Sequence, residues 1–257
     1  MPRRRRGWPT SPGCRVPTEP SVLVVQHQDD CPPALVGRWL TEAGCRLDVR
    51  RPYAADDLPA DLSGHDALVV LGGSMGAHDA HPWLAPTQAL VRSAAAHGVP
   101  TLGICLGHQL AAVALGGRSE VNPHGRQFGV LPVGWTQAAD DDPVLGSRPG
   151  RVIHWNNDVV TSMPPGAVTL AAAPDGAVQA ARFAATVWGI QAHPEVDDAI
   201  VAAWAADERE EIGGDVVDTA LVKMSAAGPE LALAWQPVAA AFARCVRRSA
   251  LGRREPA

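Results

Sequence analysis

The hydrophobic and polar positions of this chain divide it into short apolar runs and longer amphipathic segments. Apolar runs predict strands at residues 21–27, 45–52, 66–73 and 100–104. Between them, residues 32–44 and 82–98 carry apolar positions at helical spacing, and each segment ends at a glycine. Strands that alternate with helices over short loops favour a mainly parallel central sheet with helices on both faces. We therefore predict an α/β fold.

The pattern changes after Gly117, where shorter strand-like pieces are separated by turns. These pieces lie at residues 128–136, 151–160, 167–174, 177–183 and 185–195. Because no linker precedes them, we expect a mixed or antiparallel extension of the same sheet. Residues 197–250 are Ala-rich and helical in pattern. We expect these helices to pack back on the sheet, so that residues 21–250 form a single domain.

Composition and charge narrow the class of protein. Hydrophobic residues make up 46% of the 257 residues and charged residues 19%, as in ordinary soluble globular proteins. The net charge of −5 gives no electrostatic reason to expect nucleic acid as a partner. No apolar run approaches the roughly 18 residues of a membrane span, so we expect no membrane partner.

The N-terminal segment and the cysteines bear on location. Residues 1–20 are basic and proline-rich but lack the apolar core of a secretory signal, which favours a disordered tail over a twin-arginine or nucleic-acid-binding arm. The five cysteines are odd in number and include no C-x-x-C pair. Neither a disulfide framework nor a metal site is indicated, no cofactor is expected, and a reducing, cytoplasmic setting fits best.

One cysteine lies where a strand passes directly into a helix. Residues 101–104 predict a buried strand and residues 106–115 a helix, which leaves Cys105 on the turn between them. Gly103 and Gly107 flank the turn and carry no side chain that could collide in it. The first turn of a helix stabilises nearby negative charge, which favours a reactive thiolate. The alternative is a buried structural cysteine, which the two glycines and the junction disfavour.

A cysteine nucleophile needs a base, and the base needs a group that orients it. His193 follows the strand-like run "VWGIQA" and precedes Pro194, which ends the strand at the carboxyl edge of the sheet. Glu195 is placed to hydrogen-bond the imidazole and hold its other nitrogen toward the thiol. We therefore predict that Cys105, His193 and Glu195 form a catalytic group.

The segment Gly103-Ile104-Cys105-Leu106-Gly107-His108-Gln109, followed by His193-Pro194-Glu195, resembles the class I (triad) glutamine amidotransferases. The segment "GGSMG" at residues 72–76 is similar to the oxyanion loop of that family. The resemblance covers residues 21–200 and is strongest to stand-alone relatives of the amidotransferase domain of GMP synthase. It implies a flavodoxin-like α/β fold.

The resemblance also implies a reaction and its residues. Cys105 would attack the glutamine carboxamide, His193 would protonate the departing ammonia, and a γ-glutamyl thioester would then be hydrolysed. Glu195 would hold His193, and the backbone N–H groups of Gly73 and Leu106 would stabilise the oxyanion.

Four residues are the expected substrate contacts: Gly72, Gln109, Asn156 and Asn157. The two asparagines lie in "HWNND" at residues 154–158, where similar stand-alone members have a His-Trp-His-Gly-Asp-like segment.

Ammonia must reach an acceptor, and the chain lacks both a Gly-x-x-x-x-Gly-Lys-Ser/Thr phosphate loop and a Ser-Gly-Gly-x-Asp motif. We therefore expect either a separate synthase subunit beside the site or a free-standing hydrolase of γ-glutamyl small molecules. A non-catalytic regulatory or binding module is the third alternative, which the intact set of thiol, imidazole and carboxylate disfavours.

Overall fold

The computed structural model describes residues 19–254. Within this range the chain forms the strands β1 (Ser21–Val25), β2 (Arg46–Arg50), β3 (Ala67–Val70), β4 (Thr101–Ile104), β5 (Arg118–Val121), β6 (Gln127–Pro132), β7 (Arg151–Asn156), β8 (Asp158–Ser162), β9 (Val168–Ala172), β10 (Val178–Ala184) and β11 (Val187–Ile190). The α-helices are α1 (Ala34–Glu42), α2 (Leu84–His97), α3 (Leu106–Ala114), α4 (Asp198–Asp207), α5 (Arg209–Ile212) and α6 (Gly214–Arg254). Two short 3-10 helices lie at Pro52–Ala54 and Gln137–Ala139.

Seven of the strands form one sheet in the order β2-β1-β3-β4-β11-β10-β9. The first five are parallel to one another, and β10 and β9 extend the sheet antiparallel. This confirms the predicted α/β fold with a mainly parallel sheet and an antiparallel extension. The prediction placed more strands in that extension than the structure does. Strands β6 and β7 pair with each other, and β5 pairs with β8, in two separate two-stranded sheets.

The two faces of the main sheet bury different sets of side chains. Successive strand residues point to opposite faces, so Val22 and Val24 of β1 join one apolar core and Leu23 and Val25 join the other. Helices α1 and α6 cover the first face, and α2 and α3 cover the second. Because helices cover both faces, β1, β3, β4 and β11 are buried along their whole lengths.

The C-terminal helices pack on the sheet and toward one end of it. Trp235 and Phe242 of α6 are fully buried in the core that α1 shares. Helix α6 runs unbroken through Pro229 and Pro237. A third apolar cluster joins Trp155 of β7 to Trp204 of α4. This cluster positions the end of α4 beside the carboxyl edge of the parallel strands.

Some predictions concern the ends of the chain. Residues 1–18 of the predicted basic tail at residues 1–20, with Cys14, lie outside the described residues. From Glu19 to Arg254, no helix combines the length and the apolar character needed to cross a membrane.

Candidate active site

Cys105 occupies the tight turn between β4 and α3. Its backbone has a positive φ of 49°, which is unusual for a residue other than glycine and is the kind of strain that functional sites retain. The Cys105 N–H donates to the carbonyl of Ile190 at 2.8 Å, which ties the turn to the end of β11. The sulfur is therefore presented at the carboxyl edge of the sheet, as the sequence predicts.

The two glycines beside Cys105 permit a close approach of helix and sheet. A Cβ atom at Gly103 would lie 2.4 Å from the carbonyl oxygen of Gly107. A Cβ atom at Gly107 would lie 2.0 Å from the carbonyl oxygen of Val70 in β3. Neither position has room for a side chain, so the glycines seat α3 directly on the strands and place its N-terminus beside the sulfur.

His193 and Glu195 follow β11 and form a buried pair. His193 Nδ1 lies 2.8 Å from Glu195 Oε1, and both side chains are 3% exposed. The backbone N–H of His193 donates to the carbonyl of Ile153 at 2.8 Å. The imidazole ring packs edge-on against Trp204, with ring centroids 4.7 Å apart. These contacts fix the imidazole with Nδ1 on the carboxylate, which leaves Nε2 available for a second partner.

Cys105 and His193 meet at Gly72, which follows β3. A Cβ atom there would lie 3.1 Å from His193 Cε1 and 3.7 Å from Cys105 Cβ. Burial by itself lowers the pKa of His193, but the charges of Cys105 and Glu195 and hydrogen bonds to both raise it to about 10. The imidazole therefore carries a proton at neutral pH, between the sulfur and the carboxylate.

The two predicted oxyanion donors belong to neighbouring residues: a Cβ atom at Gly73 would lie 3.0 Å from Leu106 Cδ2. Leu106 is the first residue of α3, so its N–H has no carbonyl acceptor within the helix. Gly73 lies in the loop after β3, where a Cβ atom would come within 2.6 Å of Met75 Sδ. The next residue, Ser74, donates its N–H to Gln28 Oε1 at 2.7 Å, which anchors this loop to the loop after β1.

Three of the four predicted substrate contacts line a cavity of about 130 Å³ that reaches Cys105. Gln109, Asn156 and Asn157 all belong to its wall. Gln109 Nε2 donates to the carbonyl of Asp158 at 3.0 Å and to Gln191 Oε1 at 3.3 Å. The Asn156 amide donates to Gln127 Oε1 and to the same Asp158 carbonyl. These hydrogen bonds fix the side chains of Gln109 and Asn156 in the cavity wall. Gly72 does not line this cavity and lies beside His193.

Three charged residues of this wall, Arg126, Asp158 and Glu208, were missed by the sequence analysis. Arg126 lies in the loop between β5 and β6. It lines the same cavity as Asp158 and carries the opposite charge. Arg126 Nε donates to Asn157 Oδ1 at 2.8 Å, and its Nη1 forms an ion pair with Glu208. Burial and the nearby Asp79 raise the pKa of Asp158. Asp158 is the last residue of the segment "HWNND" that the sequence analysis identified. Arg126 is an isolated charge in a turn, and nothing in the sequence around it predicts a place in the site.

A second and larger cavity of about 280 Å³ also reaches Cys105. His193 lines this cavity and not the smaller one. Its walls include Trp155 and Trp204, and three acidic residues, Asp30, Asp207 and Glu208. Glu208 lines both cavities and accepts from Trp155 Nε1 at 2.9 Å. The pair formed by Glu208 and Arg126 thus stands between the two cavities.

His108, in the segment around Cys105, lies away from the reacting groups. His108 is fully buried against Phe183, with ring centroids 5.0 Å apart, and burial lowers its pKa to about 3. His108 therefore packs in the core. Cys31, Cys45, Cys105 and Cys245 are free thiols, and Cys31 lines the larger cavity together with Cys105. In the part of the chain that the structure describes, no group of three or more His, Cys, Asp or Glu side chains could hold a metal ion.

Comparison with known proteins identifies the family. The model of the class-I glutamine amidotransferase family matches residues 34–199, which is more than half of the chain, and the chain belongs to this family. The predicted resemblance is confirmed. A crystal structure described as a glutamine amido transferase from Methylobacillus flagellatus aligns with a TM-score of 0.78 and 26% identity, covering 88% of this chain and 95% of that one.

Two curated relatives refine the comparison. The glutamine amidotransferase-like protein YfeJ of Salmonella typhimurium is 29% identical over 165 residues, which cover 62% of this chain and 68% of YfeJ. A glutamine-hydrolysing GMP synthase subunit from Saccharolobus solfataricus is 39% identical over 103 residues, which cover 38% of this chain and 52% of that relative. The chain thus spans about half the length of the Saccharolobus relative. It carries a class I glutamine amidotransferase domain.

Proposed function

We propose that this protein hydrolyses the side-chain amide of glutamine and releases ammonia, with Cys105 as nucleophile, His193 as acid and base, and Glu195 as the group that orients His193. The observation that carries the proposal is the meeting of Cys105 and His193 beside Gly72, with Glu195 2.8 Å from the far side of the imidazole. Membership of the class I amidotransferase family supports it.

The proposed reaction begins when Sγ of Cys105 attacks the γ-carbonyl carbon. The oxyanion that forms accepts hydrogen bonds from the N–H groups of Gly73 and Leu106, where one lost donor typically costs about 3 kcal/mol of transition-state stabilisation. The protonated His193 gives its proton to the amide nitrogen, the C–N bond breaks, and ammonia leaves. The raised pKa of His193 supports this role, because the proton is present at neutral pH.

The second half of the reaction restores the enzyme. The γ-glutamyl group is now a thioester on Cys105, and the neutral His193 takes a proton from water as that water attacks the carbonyl. The C–S bond breaks, glutamate leaves, and the thiolate faces a protonated imidazole again. Glu195 stays ionised throughout and holds His193 Nδ1.

The smaller cavity is the proposed place for the amino-acid end of the substrate. Free glutamine carries an α-carboxylate and an α-ammonium, and this wall offers Arg126 and Asp158 as groups of opposite charge. Gln109 and Asn156 keep the wall in shape through their hydrogen bonds to the carbonyl of Asp158.

Two candidate functions are compatible with this reaction. The Saccharolobus relative is named as one subunit of a GMP synthase, which supports delivery to a separate synthase partner. The second candidate is a free-standing γ-glutamyl hydrolase, and the size of the larger cavity favours it. A cytoplasmic location remains a prediction.

Two experiments test this mechanism: covalent labelling of the proposed nucleophile, Cys105, and its removal by mutation. A glutamine analogue with a diazoketone in place of the amide should label Cys105, as mapped by mass spectrometry. Cys105→Ala should release no ammonia from glutamine or γ-glutamyl amides while keeping the far-UV circular dichroism of the parent. Cys45→Ala, which removes another buried thiol, should retain both labelling and turnover. Turnover that survives in Cys105→Ala would refute the mechanism.

A further inference from the structure

The leaving group of the proposed reaction departs beside His193. A general acid must lie within hydrogen-bond reach of the nitrogen that it protonates. His193 lines the larger cavity, and Gln109 and Arg126 line the smaller one. If the amino-acid end of the substrate occupies the smaller cavity, the amine that leaves must therefore enter the larger one.

The larger cavity is much bigger than ammonia requires. A water-sized molecule such as ammonia needs only roughly 10–15 Å³ of such space, and this cavity offers about 280 Å³. Its two indole rings, Trp155 and Trp204, are held by hydrogen bonds from their N–H groups to Glu208 and to the carbonyl of Asp30. The space is therefore walled by fixed side chains next to the reacting bond.

The charges around the larger cavity favour a cation. Within residues 19–254, neither Asp30 nor Asp207 forms an ion pair with a Lys or Arg side chain, whereas Glu208 is paired with Arg126. Asp207 is the last residue of α4, so the negative end of the helix dipole adds to its charge. The protonated His193 is balanced by Glu195. Indole faces add a further attraction for cations.

We infer that the larger cavity binds the amine portion of a γ-glutamyl amide, and that this amine keeps a positive charge at its far end, as an acylated aliphatic diamine does. The inference rests on the proposed function and names its substrate class. In the reaction, water is added, the bond between the γ-carbonyl carbon and the amine nitrogen breaks, and that nitrogen takes its proton from His193. The products are glutamate and the free diamine.

The test measures binding separately from turnover. Three γ-glutamyl amides serve as probes: those of 1,5-diaminopentane, of n-hexylamine, which replaces the terminal ammonium by a methyl group, and of 5-aminopentanoic acid. Calorimetry on Cys105→Ala, which cannot form the thioester, should show the cationic amide binding about tenfold more tightly than the neutral one, as expected for one or two partly screened carboxylates. The anionic amide should bind most weakly.

Variants locate the preference in the cavity. Asp207→Asn and Asp30→Asn, each in the Cys105→Ala background, should reduce the ratio of cationic to neutral affinity by about threefold or more, because each removes one carboxylate near the bound ammonium. Glu210→Gln removes a neighbouring charge that does not line the cavity, and it should leave the ratio unchanged. Taking ratios cancels any general loss of binding.

The outcomes separate the inference from the proposed function. Equal affinity for cationic and neutral amides, or a preference for the anionic one, overturns the inference, and turnover of glutamine by the parent protein would still support the proposed function. The cavity would then be an exit for ammonia. A cationic preference that Asp207→Asn and Asp30→Asn leave intact also overturns it. Failure of the parent protein to hydrolyse any γ-glutamyl amide refutes the proposed function, whatever the binding data show.

Discussion

Replacing Glu195 by Gln tests the part of the site that the structure defines most closely. The carboxylate lies 2.8 Å from His193 Nδ1, and both side chains are 3% exposed. Glutamine has nearly the same shape but no charge, and its amide group can donate a hydrogen bond to Nδ1. A donor at that position favours the tautomer with the proton on Nε2, and the neutral amide no longer stabilises the imidazolium.

The size of the effect follows from the burial of the pair. Removing one partner of a buried ion pair typically costs about 3–5 kcal/mol. If this loss falls on the transition state, in which His193 is charged, each 1.36 kcal/mol reduces the rate about tenfold. We therefore expect kcat/KM for glutamine to fall by about 10²- to 10⁴-fold. We also expect the pKa of His193 to fall from its raised position, since one of the charges that raise it is gone.

Two measurements check this prediction. A coupled assay of ammonia release gives kcat/KM between about pH 6 and pH 10, and NMR of the imidazole protons follows the titration of His193. Glu195→Asp, which keeps the charge, should recover part of the activity, and Glu210→Gln, the same change on the surface, should be as active as the parent. Activity of Glu195→Gln within about threefold of the parent, with an unchanged pH profile, would refute the assigned role of Glu195.

Three further predictions concern the packing of α3 on the sheet, the smaller cavity and the effect of pH on stability. Gly107→Ala should destabilise the protein by about 3 kcal/mol or more in urea unfolding, because the new Cβ would lie 2.0 Å from the carbonyl oxygen of Val70. Gly64→Ala, where a Cβ meets nothing within 4 Å, should be neutral. Equal stability of the two variants would count against the close approach of α3 to β3. Arg126→Met should raise KM for glutamine by about tenfold to a hundredfold with a smaller change in kcat, as for the loss of a charged hydrogen bond to the substrate; an unchanged KM would remove Arg126 from the substrate site. The pKa of His193 is raised from 6.5 to about 10 on folding, so its contribution to stability should be fully present below about pH 6.5 and lost as the pH rises through about 10. Urea unfolding across this range should show the loss. In Cys105→Ala the loss should be smaller, because Cys105 helps to raise the pKa of His193; an equal pH dependence in both proteins would contradict that contribution.

Much of the fold follows from local pattern. The apolar runs at residues 21–27, 66–73 and 100–104 contain the buried strands β1, β3 and β4, because a strand covered on both faces has no polar side to show in its sequence. The strand, turn and helix around Cys105 form one continuous segment, and its glycines are required by contacts to the nearest neighbours of that segment. His193 and Glu195 are two residues apart, so their pairing is also a local property.

Other features depend on which elements come together. The pairing of β6 with β7, and of β5 with β8, outside the main sheet has no separate signature in the apolar pattern, because strand-like pieces look alike whichever partner they take. The sequence shows Gly129 in β6 only as a glycine, whereas the structure gives it a φ of 105°.

The sequence by itself determined the strand, turn and helix around Cys105 and the pairing of His193 with Glu195, because these are set by residues close together in the chain. Only the tertiary structure decided that Arg126 and Glu208 meet between two cavities, and that Asp30 and Asp207 face one space beside His193. Cavity walls are assembled from side chains that are far apart in the chain. Their shape and charge therefore depend on how the loops and α4 pack, which no local periodicity encodes.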